Sequence, residues 1–320
     1  MQTEHTKTET GINYFHTTGK NDIIEYTDVQ LPEMLESQIM VKTILCGICR
    51  SDIFAYGGFE APMPFLRQGH EGLGEVVKVG SEITDVKVGD LVATFSDPAY
   101  ATYYYAGKEE YAIVPEATPK YILQPTACAI NIARRTTRAC ISLNQTYVPK
   151  ILLIGTGFMS LVIGQYYNHF GIKFDIVGSA NPDKWEKLGA KLKTMQEVLD
   201  AKEQYDAVID LSSKATNWDI IPKLLKIEGI MCYASTPYSP VTTNFFEQCW
   251  NCYSIIMPSP RNSDFGDVMR TTAKLITLGA IDPSEYWTAG YKRNDIYSVY
   301  QGFQDGSNRT PEYIRGYLEF

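Results

Sequence analysis

Three side chains of the metal-ligating kind stand far apart in the sequence: Cys49, His70 and Cys128. Thiolate sulfur and neutral imidazole suit Zn2+, and a catalytic zinc takes three such ligands while leaving a fourth position open. The intervals are too wide for a zinc finger, so tertiary structure would have to gather the ligands. A lone histidine is ordinarily a satisfied core residue, but the flanking Gly69 and Glu71 favour a ligand here. Two C-x-x-C pairs, Cys46/Cys49 and Cys249/Cys252, could by spacing build a structural zinc site. They fall in segments of different texture and are not read as one site. Cys140 and Cys232 read as buried apolar residues. His5, His16 and His169 lack a ligand neighbourhood and read as surface residues.

A second chemistry lies in Gly155-Thr156-Gly157-Phe158-Met159-Ser160. The loop follows an apolar run and opens a helical pattern. Its first glycine permits a tight turn, and its second lets backbone approach a pyrophosphate at a helix N-terminus. Ser160 replaces the third glycine, where close helix–strand packing is needed; an ordinary tight turn is the competing reading. Cofactor choice is read at the end of the next strand, where NAD enzymes carry an acid for the ribose 2′-hydroxyl. Gly178 stands there instead, followed by Ser179 and Asn181, which can donate to a 2′-phosphate, with Lys184 nearby. We expect NADP(H) to be preferred over NAD(H). The alternative is that Asp175 or Asp183 supplies the acid with a shifted register.

Two kinds of domain must position these residues. The first third holds short runs, among them 39–44, 74–79, 90–95 and 111–114, punctuated by Gly72, Gly80 and Gly89. This pattern predicts a β-rich domain, a partly closed barrel. From Pro149 onward, strands at 150–154, 173–177, 206–210, 229–233 and 254–257 alternate with helices at 159–170, 184–192 and 218–227. That alternation predicts a parallel sheet covered by helices. The tail adds one clear helix, 265–278. Tyr103-Tyr104-Tyr105 reads as packing ahead of a substrate wall, and Asp210 as a cap for the helix after its strand.

The formal net charge of −8 excludes a general nucleic-acid binder, which needs a basic face. No apolar run approaches the roughly 20 residues of a membrane span, and residues 1–13 lack the apolar centre of a signal peptide. The expectation is a cytoplasmic protein with reduced cysteines and no membrane partner.

Gly69-His70-Glu71, with Gly74, Gly80 and Gly89-Asp90-Leu91-Val92, resembles the zinc signature of medium-chain alcohol dehydrogenases. Cys46-Gly47-Ile48-Cys49-Arg50-Ser51-Asp52 and Gln124-Pro125-Thr126-Ala127-Cys128-Ala129 resemble the segments carrying that family's first and third zinc ligands. The motifs occur in family order, ahead of the dinucleotide loop, and span almost the whole chain. The resemblance implies an α/β architecture: a GroES-like β-rich catalytic domain at 1–147 and 258–320, and a Rossmann domain with a doubly wound parallel sheet at 148–257. The tail would return to the first domain, with the active site in the cleft.

Residue by residue, the resemblance implies that Cys49, His70 and Cys128 bind one catalytic zinc. Glu71 would lie behind it as an occasional ligand, and Asp52 would hold the His70 imidazole. Ser51 would accept the substrate hydroxyl proton. Arg50 and Arg315 would reach the cofactor pyrophosphate, and Met159 would pack behind the nicotinamide. The substrate would be a small alcohol or carbonyl compound, with a polyol, sugar or cyclitol suggested by loosely similar relatives, and the assembly a homodimer or homotetramer. Phe54 stands where many members have a histidine beyond the relay serine. Residues 96–110 hold no cysteine, so no structural zinc is expected. Two rivals are a zinc-free reductase of the same superfamily acting on quinones or enones, and a non-enzymatic NAD(P)-binding redox sensor. The intact ligand set and Ser51 argue against both.

Overall fold

The computed structural model describes residues 12–17, 19–57, 69–144, 148–202, 204–235 and 241–320. His5 lies outside them. In chain order the elements begin β1 (Ile12–Thr17), β2 (Ile23–Val29), β3 (Gln38–Gly47), α1 (Arg50–Tyr56), β4 (Gly72–Val79), β5 (Leu91–Thr94), β6 (Tyr103–Gly107) and β7 (Tyr111–Ile113). Then follow α2 (Leu123–Asn144), β8 (Ile151–Ile154), α3 (Phe158–His169), β9 (Phe174–Val177), α4 (Pro182–Lys187), β10 (Leu192–Lys193), α5 (Met195–Asp200) and β11 (Tyr205–Asp210). The last are α6 (Asn217–Ile220), β12 (Leu225–Tyr233), α7 (Phe245–Trp250), β13 (Ser254–Ile256), α8 (Phe265–Thr277), β14 (Trp287–Lys292), α9 (Ile296–Asp305) and β15 (Arg315–Glu319).

The chain forms two compact units. One holds residues 1–124 and 287–320, the other 125–286. In the first unit a seven-stranded sheet runs β14-β15-β3-β4-β5-β7, with β6 paired to β3, and β1-β2 form a separate ribbon. Apart from the parallel pair β14-β15, its pairs are antiparallel. β3 alternates along its first half, with Ile39, Val41 and Thr43 buried and Met40, Lys42 and Ile44 less so, the pattern of a strand with one face on a core. That core gathers Ile39, Val41, Val76, Val92, Tyr104, Phe303 and Leu318. The tyrosine run packs as expected: Tyr104 is fully buried, its hydroxyl 2.7 Å from Thr94 Oγ1, and the Tyr105 hydroxyl donates to Pro32 O at 2.9 Å.

The second unit is built on a parallel sheet of order β10-β9-β8-β11-β12-β13. In order of appearance that is 3-2-1-4-5-6, the doubly wound arrangement of dinucleotide-binding sheets. Central strands of such a sheet are buried on both faces, and every residue of β8 and β11 is buried. Two elements differ from expectation. The helix expected at 184–192 ends at Lys187, where Ala190 N–H reaches back to Trp185 O at 2.9 Å and closes the terminus. The helix expected at 218–227 is the short α6 followed by a 3-10 turn at Ile221–Leu224, and the strand begins at Leu225. Pro222 lacks the N–H that would continue the helical ladder.

The units also divide away from the expected boundaries of 147/148 and 257/258. α2 and residues 258–286 cluster with the parallel sheet because side chains tie them there. Asn131 Nδ2 donates to Ser259 O at 3.2 Å, Arg135 to Asp264 Oδ1 at 2.5 Å, and Gln165 Nε2 to Asp282 O at 2.8 Å. Among the described residues no helix is long and apolar enough to cross a membrane.

Candidate functional site

Cys49 is the N-cap residue of α1, so the helix start fixes the direction of its thiol. One turn on, Asp52 faces two ways. Its Oδ2 accepts the Cys49 N–H at 3.3 Å, and its Oδ1 accepts the Gly69 N–H at 3.4 Å and lies 3.6 Å from His70 Nδ1. Asp52 therefore ties α1 to the loop carrying His70. On the other side of the ring, His70 Nε2 is 3.9 Å from Glu71 Oε1. Ser51 Oγ donates to Cys49 Sγ at 3.2 Å.

The strands set this arrangement. Gly47 N–H donates to Glu71 O at 3.0 Å at the end of β3, and Ile48 N–H donates to Gly316 O at 2.9 Å, which brings β15 alongside. Arg315 thereby enters the same cluster. Its guanidinium pairs with Glu71 Oε1 and lies 5.4 Å above the Trp287 ring.

Electrostatics follow from burial and these pairings. Burial opposes an imidazolium at His70, but the Asp52 carboxylate and the Cys49 sulfur outweigh it and raise its pKa well above 6.5. Burial likewise opposes the Arg315 charge, and Glu71 outweighs it, so the guanidinium stays charged. Burial, reinforced by Glu71 and Asp52, pushes the Cys46 thiol well up.

The ligating atoms of Cys49, His70 and Glu71 lie within 4.8 Å of one another, and Glu71 Oε2 is buried with no hydrogen-bond partner among the described residues. A thiol, an imidazole and a carboxylate so close together fit a borderline-soft divalent ion such as Zn2+. Cys128, the remaining residue expected as a ligand, is half-buried on α2 and belongs to the second unit. Arg50 is exposed, its guanidinium 5.2 Å above the Phe54 ring.

In the second unit, Gly155 takes φ +109°, and Gly157 is the N-cap of α3 with no side-chain cap. The ladder of α3 starts at Leu161 N–H to Gly157 O, 3.0 Å. The N–H groups of Phe158, Met159 and Ser160 precede it, which is the donor array that favours an anion. The side chains differ in role. Phe158 is buried edge-on to Tyr286, with ring centroids 6.3 Å apart, Ser160 is buried, and Met159 is half-buried.

Thr156 emerges as the tether of this loop, a role not visible in the sequence. Its Oγ1 accepts Ala180 N–H at 3.1 Å, and its carbonyl accepts Asn181 Nδ2 at 3.0 Å and Trp185 Nε1 at 3.3 Å. Asn181, expected as a donor to a 2′-phosphate, spends its amide on that carbonyl. Gly178 takes φ +151°, and a Cβ there would lie 2.5 Å from Thr156 Cγ2. No acid can stand at that position without movement of Thr156. Ser179 is exposed. Lys184 is engaged: its ammonium is 3.1 Å from Glu285 and 3.5 Å from Asp183. The hydrogen bond it donates to Glu285 leads the causes that raise its pKa.

Asp175 sits near the start of β9, bound to Lys193 at 3.0 Å and the Tyr205 hydroxyl at 2.9 Å, away from the strand's C-terminal end. Asp210 does not cap α6 directly. It accepts from Ser212 N–H at 2.9 Å and Asn217 Nδ2 at 3.1 Å, which folds the β11–α6 loop. Cys140 and Cys232 are buried, and burial pushes each thiol up to about 12. His169 is exposed, and His16 is half-buried against Tyr26.

Residues 36–125 match the Alcohol dehydrogenase GroES-like domain family. The chain is 27% identical over 147 residues to an alcohol dehydrogenase of Schizosaccharomyces pombe, covering 36% of this chain and 42% of that one. It is 34% identical over 91 residues to the D-arabitol-phosphate dehydrogenase of Enterococcus avium, covering 28% of this chain and 24% of that enzyme. In both alignments the chain spans less than half of the curated relative. A solved oxidoreductase/dehydrogenase of unknown specificity from Escherichia coli superposes with a TM-score of 0.80 at 18% identity, covering 97% of this chain and 99% of that one. That likeness shows the fold, a GroES-like domain with a Rossmann domain. Over residues 36–125 the chain is thus similar to the GroES-like domain of alcohol dehydrogenases.

Proposed function

We propose that this chain is a zinc-dependent oxidoreductase that transfers a hydride between NADP(H) and an alcohol or its carbonyl counterpart. The observation that carries the reading is the cluster of Cys49, Ser51, Asp52, His70 and Glu71, in which thiol, imidazole and carboxylate converge within 4.8 Å. Cys49 and His70 would hold the ion, with Cys128 as third ligand and Glu71 behind. When bound, zinc supplies a Lewis acid for the substrate oxygen and eases its deprotonation.

The chain's own residues do the rest. Asp52 keeps the proton on His70 Nδ1, so that Nε2 faces the ligand cluster with its lone pair. Ser51, beside the Cys49 sulfur, accepts the substrate hydroxyl proton, as a hydroxyl that both accepts and donates can. Phe54 offers no group to pass it on; with a cofactor bound, its ribose hydroxyl and water would take the proton on from Ser51. Arg315 offsets the Glu71 charge.

The N–H groups at the start of α3 would face the pyrophosphate. NADP(H) is favoured because Gly178 has no room for an acid that would repel a 2′-phosphate. Ser179 rather than Lys184 or Asn181 is the donor, since those two are engaged elsewhere. A polyol, sugar or cyclitol substrate is supported by the likeness to the arabitol-phosphate enzyme. A homodimer or homotetramer is supported by β13, the outer strand of its sheet.

The test is zinc per chain by elemental analysis after dialysis, with turnover on a polyol panel using NADPH and NADH. About one zinc per chain and faster turnover with NADPH are expected. Zinc near zero would overturn the reading in favour of a zinc-free enone or quinone reductase.

A further inference from the structure

Seven cysteines occur in the chain. Cys46, Cys140 and Cys232 are buried, Cys49 and Cys128 are half-buried, and Cys249 and Cys252 are exposed. The exposed pair is the second C-x-x-C of the sequence, and the proposed reaction makes no use of it.

The backbone brings the two thiols to one turn. α7 ends at Trp250, and the chain then closes the helix with two reversed hydrogen bonds. Tyr253 N–H reaches Gln248 O at 3.0 Å, and Cys252 N–H reaches Cys249 O at 3.2 Å. This is the Schellman closure, whose left-handed residue is usually glycine. Here that residue is Cys252, with φ +57°. Glycine would sit there without strain; instead a thiol stands there, directly across a closed turn from a second thiol. A turn bonded from i to i+3 holds its end Cα atoms within about 7 Å, and a disulfide spans Cα separations of about 4.4–6.8 Å.

The turn is also anchored, because Glu228 N–H donates to Asn251 O at 2.8 Å and the Tyr253 hydroxyl donates to Pro222 O at 2.9 Å. The two Cα atoms are therefore held at a separation that a disulfide can span, which favours ring closure over reaction with a second molecule. The site lies just before β13. In a parallel sheet that is the end opposite the glycine loop that follows β8.

We propose that Cys249 and Cys252 form a reversible dithiol/disulfide site that exchanges with small-molecule disulfides of the glutathione type. One thiolate attacks a sulfur of the small disulfide; its S–S bond breaks and one small thiolate leaves. The second cysteine thiolate then attacks the mixed disulfide at the protein sulfur, forming the Cys249–Cys252 bond and expelling the second small thiolate. Two electrons pass from the dithiol to the small disulfide, and the two cysteine protons end on the two small thiols. Trp250, 76% exposed and stacked on Phe246, lies between the two cysteines and reports closure by its fluorescence.

The test treats the zinc-supplied full chain with glutathione disulfide and then counts thiols in denaturant. The expected result is a fall from seven thiols to five, a mass lower by two hydrogens on the peptide carrying both cysteines, no retained glutathione, and full recovery with a dithiol reductant. Cys249→Ser and Cys252→Ser should each instead trap one glutathione per chain at the remaining thiol. NADPH binding should be the same in the open and closed forms. Stable glutathione adducts on the unsubstituted chain at this turn would overturn the proposal, as would a disulfide joining two copies or an unchanged count of seven.

Discussion

Replacing Gly178 with alanine tests whether the backbone, rather than a chosen side chain, keeps an acid away from the cofactor's ribose end. A Cβ at this position would lie 2.5 Å from Thr156 Cγ2, 3.0 Å from its Oγ1 and 3.3 Å from its Cβ. Carbon atoms in contact sit at about 3.5–4.0 Å, so the overlap with the methyl is roughly 1 Å. The methyl cannot swing away freely, because Oγ1 accepts the Ala180 N–H at 3.1 Å and rotation of the side chain would break that bond. Overpacking of this kind costs about 1–3 kcal/mol, and a non-glycine residue at this φ adds roughly 1–3 kcal/mol.

Gly178→Ala should therefore destabilise the second unit by about 2–6 kcal/mol, or roughly 4–12 °C in its thermal transition, taking about 2 °C per kcal/mol for a unit of this size. Thr156→Ser removes the offending methyl and keeps the acceptor oxygen. In the Gly178→Ala background it should recover about 1–2 kcal/mol, read as a coupling in a double-mutant cycle. Melting followed by calorimetry checks both. The reasoning fails if the alanine variant melts with the unsubstituted chain, or if the two substitutions are merely additive. By the same geometry Gly178→Asp should weaken binding of both NADPH and NADH rather than switch the preference.

Ser51→Ala should lower kcat by about 10²-fold, the low end for loss of acid–base participation, with zinc content unchanged; a change of twofold or less would remove Ser51 from the proton path. Arg315→Met leaves the Glu71 carboxylate, 1% exposed, without its partner. About 3–5 kcal/mol of destabilisation is expected by urea unfolding, and Glu71→Gln added to it should restore part of the loss. In the metal-free chain His70 has a raised pKa in the folded state, so its contribution to stability is fully present below pH 6.5. It is lost as pH rises through the higher folded value, and a pH series of unfolding midpoints should show that fall. Zinc must displace the same proton, so titration of the metal-free chain should release protons near neutral pH, measurable as a buffer-dependent heat. A His70→Ala chain that binds zinc as tightly and releases as many protons would exclude His70 as a ligand.

Some of this protein was legible from residue types alone because its determinants are local. The strand runs of the second unit are short with apolar centres, and the glycine loop sits between a strand and a helix. Those facts survive in the structure nearly residue for residue at β8, α3, β9 and β11. Cys49, His70 and Glu71 stood out as candidates because Gly69-His70-Glu71 and Cys49-Arg50-Ser51-Asp52 are continuous segments, whereas bringing the two segments together was left to the tertiary structure. The helix expected at 218–227 failed for an equally local reason, the proline at 222, which the apolar periodicity around it outweighed in the reading.

What the sequence determined by itself is the order of the elements and the chemical types at the metal cluster and the dinucleotide loop, since propensity, periodicity and short spacings act over a few residues. Only the tertiary structure decided which charges those residues face. Arg315 pairs with Glu71, Lys184 is engaged by Glu285, and Asn181 is turned onto the Thr156 carbonyl. Glu71 and Arg315 lie 244 residues apart in the chain, and Lys184 and Glu285 lie 101 apart. No local rule links such partners. They meet because β15 returns beside β3 and because residues 258–286 pack with the parallel sheet, and burial then makes each of them satisfy the other.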